Sequence, residues 1–554
     1  MTFFRKRLIA FAIATAVFAG ISSAVLAQAL KPVAIISVAS IKETLNDIGY
    51  VTRVAGMPDQ GDTARFFASA LVNGIDRERP IGLYFVPKAG EFHAVAFVPM
   101  EANGLATILK LHKDQLGEPK DAGDGVQQLG RGRTVFVKEQ GGWAYIAEHK
   151  EYLGELPADP ATLLGDLPKN YNFAGKVFVQ NIPQELRRTG IDEIKLGIER
   201  FLDSPAARQN RIDRDQAREL SKVYVGNMEK LINEADEIML GIGVDEAAKR
   251  AVLDVSVSAK AETSLARSMA AQVNAKTNYA GFANSESAVT MLLASKASPE
   301  DIAQADAALK AYRAQIAKQI DDSPDIPANK RDSIKALLGP LFDVIGKTIA
   351  TGRLDGGATV LLLPKSLAFA AGGGVADGAA VEKILIQLAD LGKDIPNMPR
   401  LQPNITTLGE MKLYRLVAPL PEHNREARDL FGENLEIIVG IAPKSVIVAG
   451  GKNAEGLLKS VVDRSAQERE KSIAPFQLSV SLLPILKFSQ SINNNPIVSR
   501  MIMALEQGGN DQINITSQAA ATSSTMRIEI QEGIIRAGGE AAKTAGARLN
   551  RGAQ

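Results

Sequence analysis

Apolar runs and alternating apolar positions recur through residues 30–283 and predict a series of strands interrupted by few helices. A buried-strand run at residues 33–38 precedes a helix that begins near Ser40, where Ser40 and Glu43 fit a capping box. Further strands are predicted at residues 81–86, 92–98, 126–129, 134–137, 143–147, 176–180, 238–244 and 251–258. Helical patterns cover residues 104–112, 184–235 and 262–273. Because tight turns join many of these strands, the pattern predicts an α+β fold, with helices packed against a mostly antiparallel sheet.

The second half of the chain returns to the same order of motifs. The matching segments are residues 33–48 with 288–302, 87–92 with 364–369, 126–130 with 405–409, 177–183 with 478–484, and 251–257 with 525–530. The first match places the Ala-Ser pair at Ser40 opposite the pair at Ser295. An ordered set of matches across units of about 250 residues predicts two tandem homologous domains with the same strand order. We place them at residues 30–283 and 284–546, followed by a flexible tail at 547–554.

One addition is predicted to distinguish the second repeat, a helical hairpin at residues 299–351 that is absent from the first. Its arms carry apolar residues at three-four spacing, which predicts one apolar stripe on each helix. The stripes consist of Ile302, Ala305, Leu309, Tyr312, Ile316 and Ile320, and of Ile334, Leu338, Phe342, Ile345 and Ile349. The simpler interpretation is that the stripes pack on each other and on the sheet. The alternative is a protruding arm that serves an oligomer contact or a protein partner.

The first 29 residues read as an export signal. Residues 1–7 are basic, residues 8–20 are apolar, and Ala27 and Ala29 provide small residues at positions −3 and −1 of a cleavage site. Cleavage is predicted after Ala29, with Ala27 as the second choice and an uncleaved anchor as the alternative. Beyond this segment no stretch is apolar enough to predict a membrane span, so the mature chain is predicted to be periplasmic or secreted.

Composition narrows the classes of partner and chemistry. Removing Arg5, Lys6 and Arg7 with the signal changes the formal net charge from +1 to −2, which argues against a nucleic-acid partner. The chain has no cysteine, so disulfides, thiol nucleophiles and thiolate metal sites are excluded. Its aromatic content is 5%, with Trp143 the single tryptophan. Because an exported protein without cysteine has no disulfides, burial of apolar side chains must provide its stability.

Two glycine-containing segments suggest phosphate sites but fail on spacing. Residues 372–378 follow a predicted strand, yet Asp377 stands where a dinucleotide fingerprint requires glycine. Residues 346–348 resemble the end of a phosphate loop, yet Leu341 stands where its first glycine belongs. A strand-to-helix turn and an amphipathic helix are the favoured interpretations. We predict no cofactor.

The titratable residues form no recognisable catalytic or metal motif. His93, His112, His149 and His423 are widely spaced, and the acidic clusters 121–124, 213–215 and 321–325 lack the pattern of a calcium loop. The residues that the two repeats share have backbone roles, apart from the pairs Lys88/Lys365 and Lys150/Lys452, which are interpreted as solvated turn lysines. No catalytic, cofactor-binding or metal-binding residue is assigned.

In layout the chain resembles large exported bacterial proteins of unknown function that carry tandem α+β domains. The resemblance contains no motif from which a functional residue could be transferred. The leading hypothesis is a non-enzymatic envelope or secreted protein that binds or scaffolds an unknown partner. The alternative is an exported hydrolase whose catalytic site is assembled from distant segments, and a third is a structural assembly protein that uses the helical arm.

Overall fold

The computed structural model describes residues 31–88, 90–130, 134–204, 214–323, 328–392 and 399–551. The predicted export signal lies outside these residues. The described chain forms two compact units. Unit 1 contains the described residues up to 211 and those of 225–259, and unit 2 contains those of 212–224 and from 260 onward.

Unit 1 is built on a ten-stranded sheet in which each strand pairs antiparallel to its neighbours. Its strands are β1 (Ala34–Val38), β2 (Ile81–Lys88), β3 (Glu91–Pro99), β4 (Lys120–Asp121), β5 (Val126–Leu129), β6 (Val135–Gln140), β7 (Trp143–Ala147), β8 (Phe173–Phe178), β9 (Ala235–Asp245) and β10 (Arg250–Ala259). Their order across the sheet is β4-β5-β6-β7-β3-β2-β1-β8-β9-β10. The first strand of the chain therefore lies inside the sheet, between β2 and β8.

Unit 2 has ten strands connected in the same way, again with antiparallel pairing. They are β12 (Val289–Lys296), β13 (Arg353–Leu363), β14 (Ser366–Gly374), β15 (Arg400–Leu408), β16 (Met411–Pro419), β17 (Asn434–Ala442), β18 (Ser445–Gly451), β20 (Phe476–Ser481), β21 (Gln512–Ala519) and β22 (Ser523–Gln531). Their order is β15-β16-β17-β18-β14-β13-β12-β20-β21-β22. When the ten strands of each unit are numbered along the chain, both sheets have the same order, 4-5-6-7-3-2-1-8-9-10. A small ladder of β11 (Lys276–Thr277) with β19 (Lys471–Ser472) completes this unit.

Helices fill the longer connections of both units. Before residue 260 they are α1 (Ile41–Val54), α2 (Pro58–Leu71), α3 (Gly104–Leu111), α4 (Lys113–Leu116), α5 (Leu167–Asn170), α6 (Gln184–Asp203) and α7 (Arg214–Glu234). From residue 260 they are α8 (Ser264–Ala271), α9 (Pro299–Asp322), α10 (Ala328–Ala350), α11 (Gly378–Gly392), α12 (Arg425–Phe431), α13 (Ala454–Gln467), α14 (Leu482–Ile492), α15 (Pro496–Glu506) and α16 (Glu532–Arg551). The predicted α+β class with a mostly antiparallel sheet is confirmed. Helix α16 continues to Arg551, past the predicted start of a flexible tail at residue 547.

The prediction that the helical hairpin is absent from the first repeat is wrong. Helices α9 and α10 do pair as expected, but α1 and α2 form a pair in the corresponding connection of unit 1, between β1 and β2. The pairs differ in length, at 14 residues for each of α1 and α2 against 24 for α9 and 23 for α10. The hairpin is therefore a longer version of a connection that both units contain.

A second helix pair shows the opposite difference in length. Helices α6 and α7 connect β8 with β9 and have 20 and 21 residues, whereas α14 and α15 connect β20 with β21 and have 11 each. The sheet of unit 1 therefore has its longer helices between the eighth and ninth strands, and the sheet of unit 2 has them between the first and second. The shared framework is the sheet, and the helical connections are where the units diverge.

Two details of the predicted repeat alignment are also wrong. The N-cap of α1 is Ser40, whose hydroxyl accepts a hydrogen bond from the Glu43 amide at 3.2 Å, but Ser295 lies inside β12. The N-cap in the corresponding place is Ser298, which forms a full capping box with Asp301. Likewise, the match of residues 126–130 with 405–409 joins β5 with β15, which hold different positions in the sheet order. The other matches fall on strands or turns of equal rank.

Each unit has its own apolar core. In unit 1 a cluster that includes Tyr84, Phe97, Trp143 and Tyr145 packs on one face of the sheet under α5 and short 3₁₀ turns. In unit 2 the main cluster joins Phe282, Leu413 and Ile438 to the buried face of α13. Within the described residues, no helix has the length and apolar character needed to cross a membrane.

Candidate functional site

Two of the four histidines meet at one end of the unit 1 sheet. His93 lies on β3, and His149 is the second residue after the end of β7. Strands β3 and β7 pair with Val95 opposite Ala147, so the two histidines lie near the same end of neighbouring strands. The 3₁₀ turn Lys150–Leu153 then places Tyr152 beside both. The sequence separates His93 from His149 too widely for any spacing motif to signal this proximity.

The three rings form a packed group. His93 stacks on Tyr152 with ring centroids 4.3 Å apart and an interplanar angle of 20°. His149 meets His93 edge to face at 6.1 Å and Tyr152 at 6.0 Å. Lys88, at the end of β2, places its Nζ 4.9 Å from the centre of the Tyr152 ring. We call Lys88, His93, His149, Glu151 and Tyr152 the histidine cluster.

The charges around the rings of the histidine cluster are neutralised in pairs. Lys88 Nζ lies 3.1 Å from Glu151 Oε1, and this contact lowers the pKa of the Glu151 carboxyl. Partial burial, together with the negative charge of Glu151, raises the pKa of Tyr152 to about 12. Tyr152 therefore remains a protonated phenol at neutral pH, and Glu151 remains a carboxylate.

Lys150 makes a second charge pair beside the histidine cluster. Its Nζ lies 2.8 Å from Asp124 Oδ2 and donates to the Ala122 carbonyl at 2.7 Å, and this pairing lowers the pKa of Asp124. Lys88 and Lys150 are thus bound to carboxylates, while 44% and 39% of their side chains remain exposed to solvent. The unit 2 counterparts, Lys365 and Lys452, are exposed and have no side-chain partner in the part of the chain that the structure describes.

The remaining histidines stay apart from this cluster. His112 is the C-cap residue of α3, and His423 is exposed in the turn that precedes α12. Among the described residues, no group of three or more histidine, aspartate and glutamate side chains is placed to hold a metal ion.

An open groove of about 360 Å³ lies between α9 and α10 in unit 2. Leu309 and Phe342 give its lining an apolar part. The charged part consists of three cations, Lys310, Arg313 and Lys347, and of two carboxylates, Asp306 and Asp343. Lys310 pairs with Asp306 at 2.7 Å and Arg313 with Asp343 at 3.1 Å, while Lys347 lies 4.0 Å from Asp377. In each pair at least one of the two side chains is half exposed or more. Exposed ion pairs contribute little free energy, so a charged ligand can replace them at little energetic cost. The groove is suited to a group that is anionic and partly apolar.

Backbone amides in the two glycine-containing segments donate hydrogen bonds within the chain. In the loop that leads into α11, the Gly378 amide donates to the Pro443 carbonyl and the Ala376 amide to Thr348 Oγ1. Asp377 accepts from the Ala380 amide at 3.0 Å and so caps the helix. Residues 346–348 lie inside α10. Both segments therefore have structural roles, as favoured from the sequence.

Two buried carboxylates not indicated by the sequence hold loops in place. Asp254 on β10 is 1% exposed and accepts from the Tyr171 hydroxyl at 2.7 Å. Asp355 on β13 has a 5% exposed side chain that accepts from Thr277 Oγ1 at 2.6 Å and is paired with Arg353 at 3.2 Å. Because donors already satisfy these groups, they are assigned to structure and not to chemistry.

Comparison with protein-family models, curated proteins and solved structures finds no match to this chain. Its function must therefore be inferred from its own geometry.

Proposed function

We propose that this chain is an exported, non-enzymatic binding or scaffolding protein whose two units arose by duplication of one α+β domain. The observation that carries the proposal is the common order of ten strands in the two sheets. An order in which the first strand lies between the second and the eighth is one of very many, so two independent occurrences are improbable.

The matched segments support duplication of a scaffold in preference to a reaction centre. Pro87 lies at the end of the second strand of unit 1 and Pro364 directly after the second strand of unit 2, and Ser40 and Ser298 cap the first helix of each. The titratable residues do not follow this correspondence. His93 and His149 have no histidine counterparts in unit 2. Among the described residues from 260 onward, His423 is the one histidine. A framework can be duplicated without its chemistry, because function lives in sites carried by the fold.

The groove between α9 and α10 is the surface that we assign to partner binding. The cations Lys310, Arg313 and Lys347 outnumber the two carboxylates in its lining, and Phe342 supplies an aromatic surface beneath Arg313, whose Cζ lies 5.9 Å from the ring centre. This combination favours an acidic segment of a protein partner, which would replace the exposed ion pairs.

A capture experiment tests this proposal. The mature chain is immobilised and exposed to envelope and secreted fractions, in parallel with the variants Arg313→Glu and Lys347→Glu. We expect a partner that is retained by the wild type, released by moderate salt and lost from both variants. Lys318→Glu is the matched control, because Lys318 lies on the same helix outside the groove lining. Equal retention by the groove variants and the control would remove the groove from the proposal.

The histidine cluster favours a second candidate, the exported hydrolase. Two imidazoles, a phenol and a carboxylate within one group are the side chains that general acid–base catalysis uses. A broad hydrolase substrate screen on the mature protein distinguishes the two functions. Turnover that disappears in both His93→Ala and His149→Ala, and persists in His423→Ala, would establish the hydrolase and contradict the binding protein.

A further inference from the structure

We propose that His93 and His149 form a binding site for a divalent transition-metal ion, with Cu²⁺ as the ion that it holds most tightly. The inference is independent of the proposed partner groove, which lies in unit 2. It rests on the approach of the two imidazole rings, on the support that Tyr152 gives them and on the neutralised charges around them.

The distance between the rings is compatible with one bridging ion. With metal–nitrogen bonds of about 2.0 Å, one ion can join two imidazoles whose centres are up to about 6 Å apart. The centroids of His93 and His149 are separated by 6.1 Å, which is within reach of one ion once side-chain rotation turns a nitrogen of each ring towards it. His149 is exposed and free to make this adjustment, while the stack on Tyr152 holds His93 in a fixed orientation.

The electrostatic surroundings do not oppose a cation. Two ammonium groups in this region are bound to carboxylates. Lys88, which lies over the Tyr152 ring, pairs with Glu151 at 3.1 Å, and Lys150, which follows His149 in the chain, pairs with Asp124 at 2.8 Å. Each pair is close to neutral as a unit, so an incoming ion meets little net repulsion.

The donor set selects the class of metal. Imidazole nitrogens suit Cu²⁺, Ni²⁺ and Zn²⁺, whereas Ca²⁺ and Mg²⁺ require oxygen ligands. Affinity for such a site rises towards Cu²⁺ along the first transition series. The chain has no cysteine, so no thiolate competes for the ion elsewhere. Because the described residues place only two histidines together, water completes the coordination, as in an exchangeable site and not a structural one.

The test uses untagged mature protein, so that no added histidine contributes. CuCl₂ and ZnCl₂ are titrated into the wild type, His93→Ala and His149→Ala, with His112→Ala and His423→Ala as matched controls. We expect one Cu²⁺ per chain in the wild type, weaker binding of Zn²⁺, and a loss of at least about tenfold in Cu²⁺ affinity in each cluster variant. The controls should bind as the wild type does.

Electron paramagnetic resonance of the Cu²⁺ complex gives an independent readout. We expect nitrogen hyperfine structure from two imidazoles in the wild type and from fewer in each cluster variant. Unchanged Trp143 fluorescence in the variants will show that unit 1 remains folded, since Trp143 lies in its core. The proposal would be overturned if the wild type bound no Cu²⁺, or if His93→Ala and His149→Ala bound Cu²⁺ with the affinity of the wild type.

Discussion

The Tyr171 hydroxyl donates a hydrogen bond to the buried Asp254 carboxylate at 2.7 Å, and the ring reaches it by lying across Gly241. A Cβ at position 241 would be 2.6 Å from Tyr171 Cδ1, so glycine is needed there for the ring to pass. The contact joins the segment before β8 to β10 and helps to hold one end of the unit 1 sheet together.

We predict that Tyr171→Phe lowers the free energy of unfolding of unit 1 by about 1–3 kcal/mol, because it removes a donor from a buried carboxylate. Urea denaturation followed by fluorescence checks this, since Trp143 is the single tryptophan and lies in the unit 1 core. Gly241→Ala should also destabilise the unit, through the steric clash with the ring. Tyr224→Phe, at a side chain that is 57% exposed, serves as the control and should have no effect. The prediction would be contradicted if Tyr171→Phe and the control had the same midpoint of urea denaturation.

A second prediction concerns the dependence of unit 2 stability on pH. The Tyr414 hydroxyl and Lys412 Nζ both donate to Glu382 on α11 and lower its pKa. Because the pKa is lower in the folded state, the stability that the carboxylate contributes is present above its ordinary pKa. That stability is lost as the pH falls through the lower, folded-state value.

Tyr414→Phe should therefore destabilise unit 2 by about 1 kcal/mol at pH 7 and by less near pH 4. Denaturation followed by circular dichroism at the two pH values gives the difference, with the half-exposed Tyr312→Phe as the control. An effect of Tyr414→Phe that grows on acidification would have the wrong sign and would exclude this role for Glu382.

The long helix pair of unit 2 should tolerate shortening at its tip but not complete removal. Phe342 and Val344 are buried, and Thr348 Oγ1 accepts a hydrogen bond from the Ala376 amide, so the base of the pair belongs to the folded unit. We expect replacement of residues 313–336 by a short turn, which leaves arms about as long as α1 and α2, to retain cooperative unfolding. Deletion of residues 299–351 should abolish it. Calorimetry on both deletions checks this, and a deletion of the whole pair that unfolds as sharply as the wild type would show that the base is dispensable.

The mature protein is predicted to begin near Leu30. The apolar run of the leader ends in small residues, and no cysteine follows to accept a lipid. N-terminal sequencing of the exported product is the measurement. Recovery of a chain that retains residues 1–29 in the membrane fraction would establish an anchor in place of a cleaved signal.

The strands and hairpins were predictable from the sequence because their signals are local. The strand Trp143–Ala147 was predicted at its observed bounds, and the preceding turn uses Gly141 and Gly142 at φ values of 61° and 75°, where glycine is favoured. Helix α2 was missed for the opposite reason. Its largest apolar residues, Phe66 and Phe67, are 71% and 60% exposed, so no apolar stripe facing a core marks the helix.

Features that depend on distant pairing could not be predicted. The Ala-Ser pair occurs both at Ser295 and at Ser298, and only the greater length of β12, eight residues against five in β1, shows that the second is the cap. His93 and His149 become neighbours because β7 pairs with β3, a strand far from it along the chain. Sequence spacing carries no signal of that pairing, so the histidine cluster emerges from the structure alone.

The interior position of β1 determines when unit 1 can finish folding. Ala34 lies opposite Phe85 on one side and Val177 on the other, so the first strand lacks one of its partners until β8 is present. A chain that leaves a ribosome or crosses a membrane from its N-terminus must therefore keep one edge of this apolar strand unpaired until β8 emerges. Unit 2 repeats this delay, because β12 lies between β13 and β20. Each unit therefore exposes one apolar strand edge during synthesis, and such an edge is a hazard for aggregation until the eighth strand covers it.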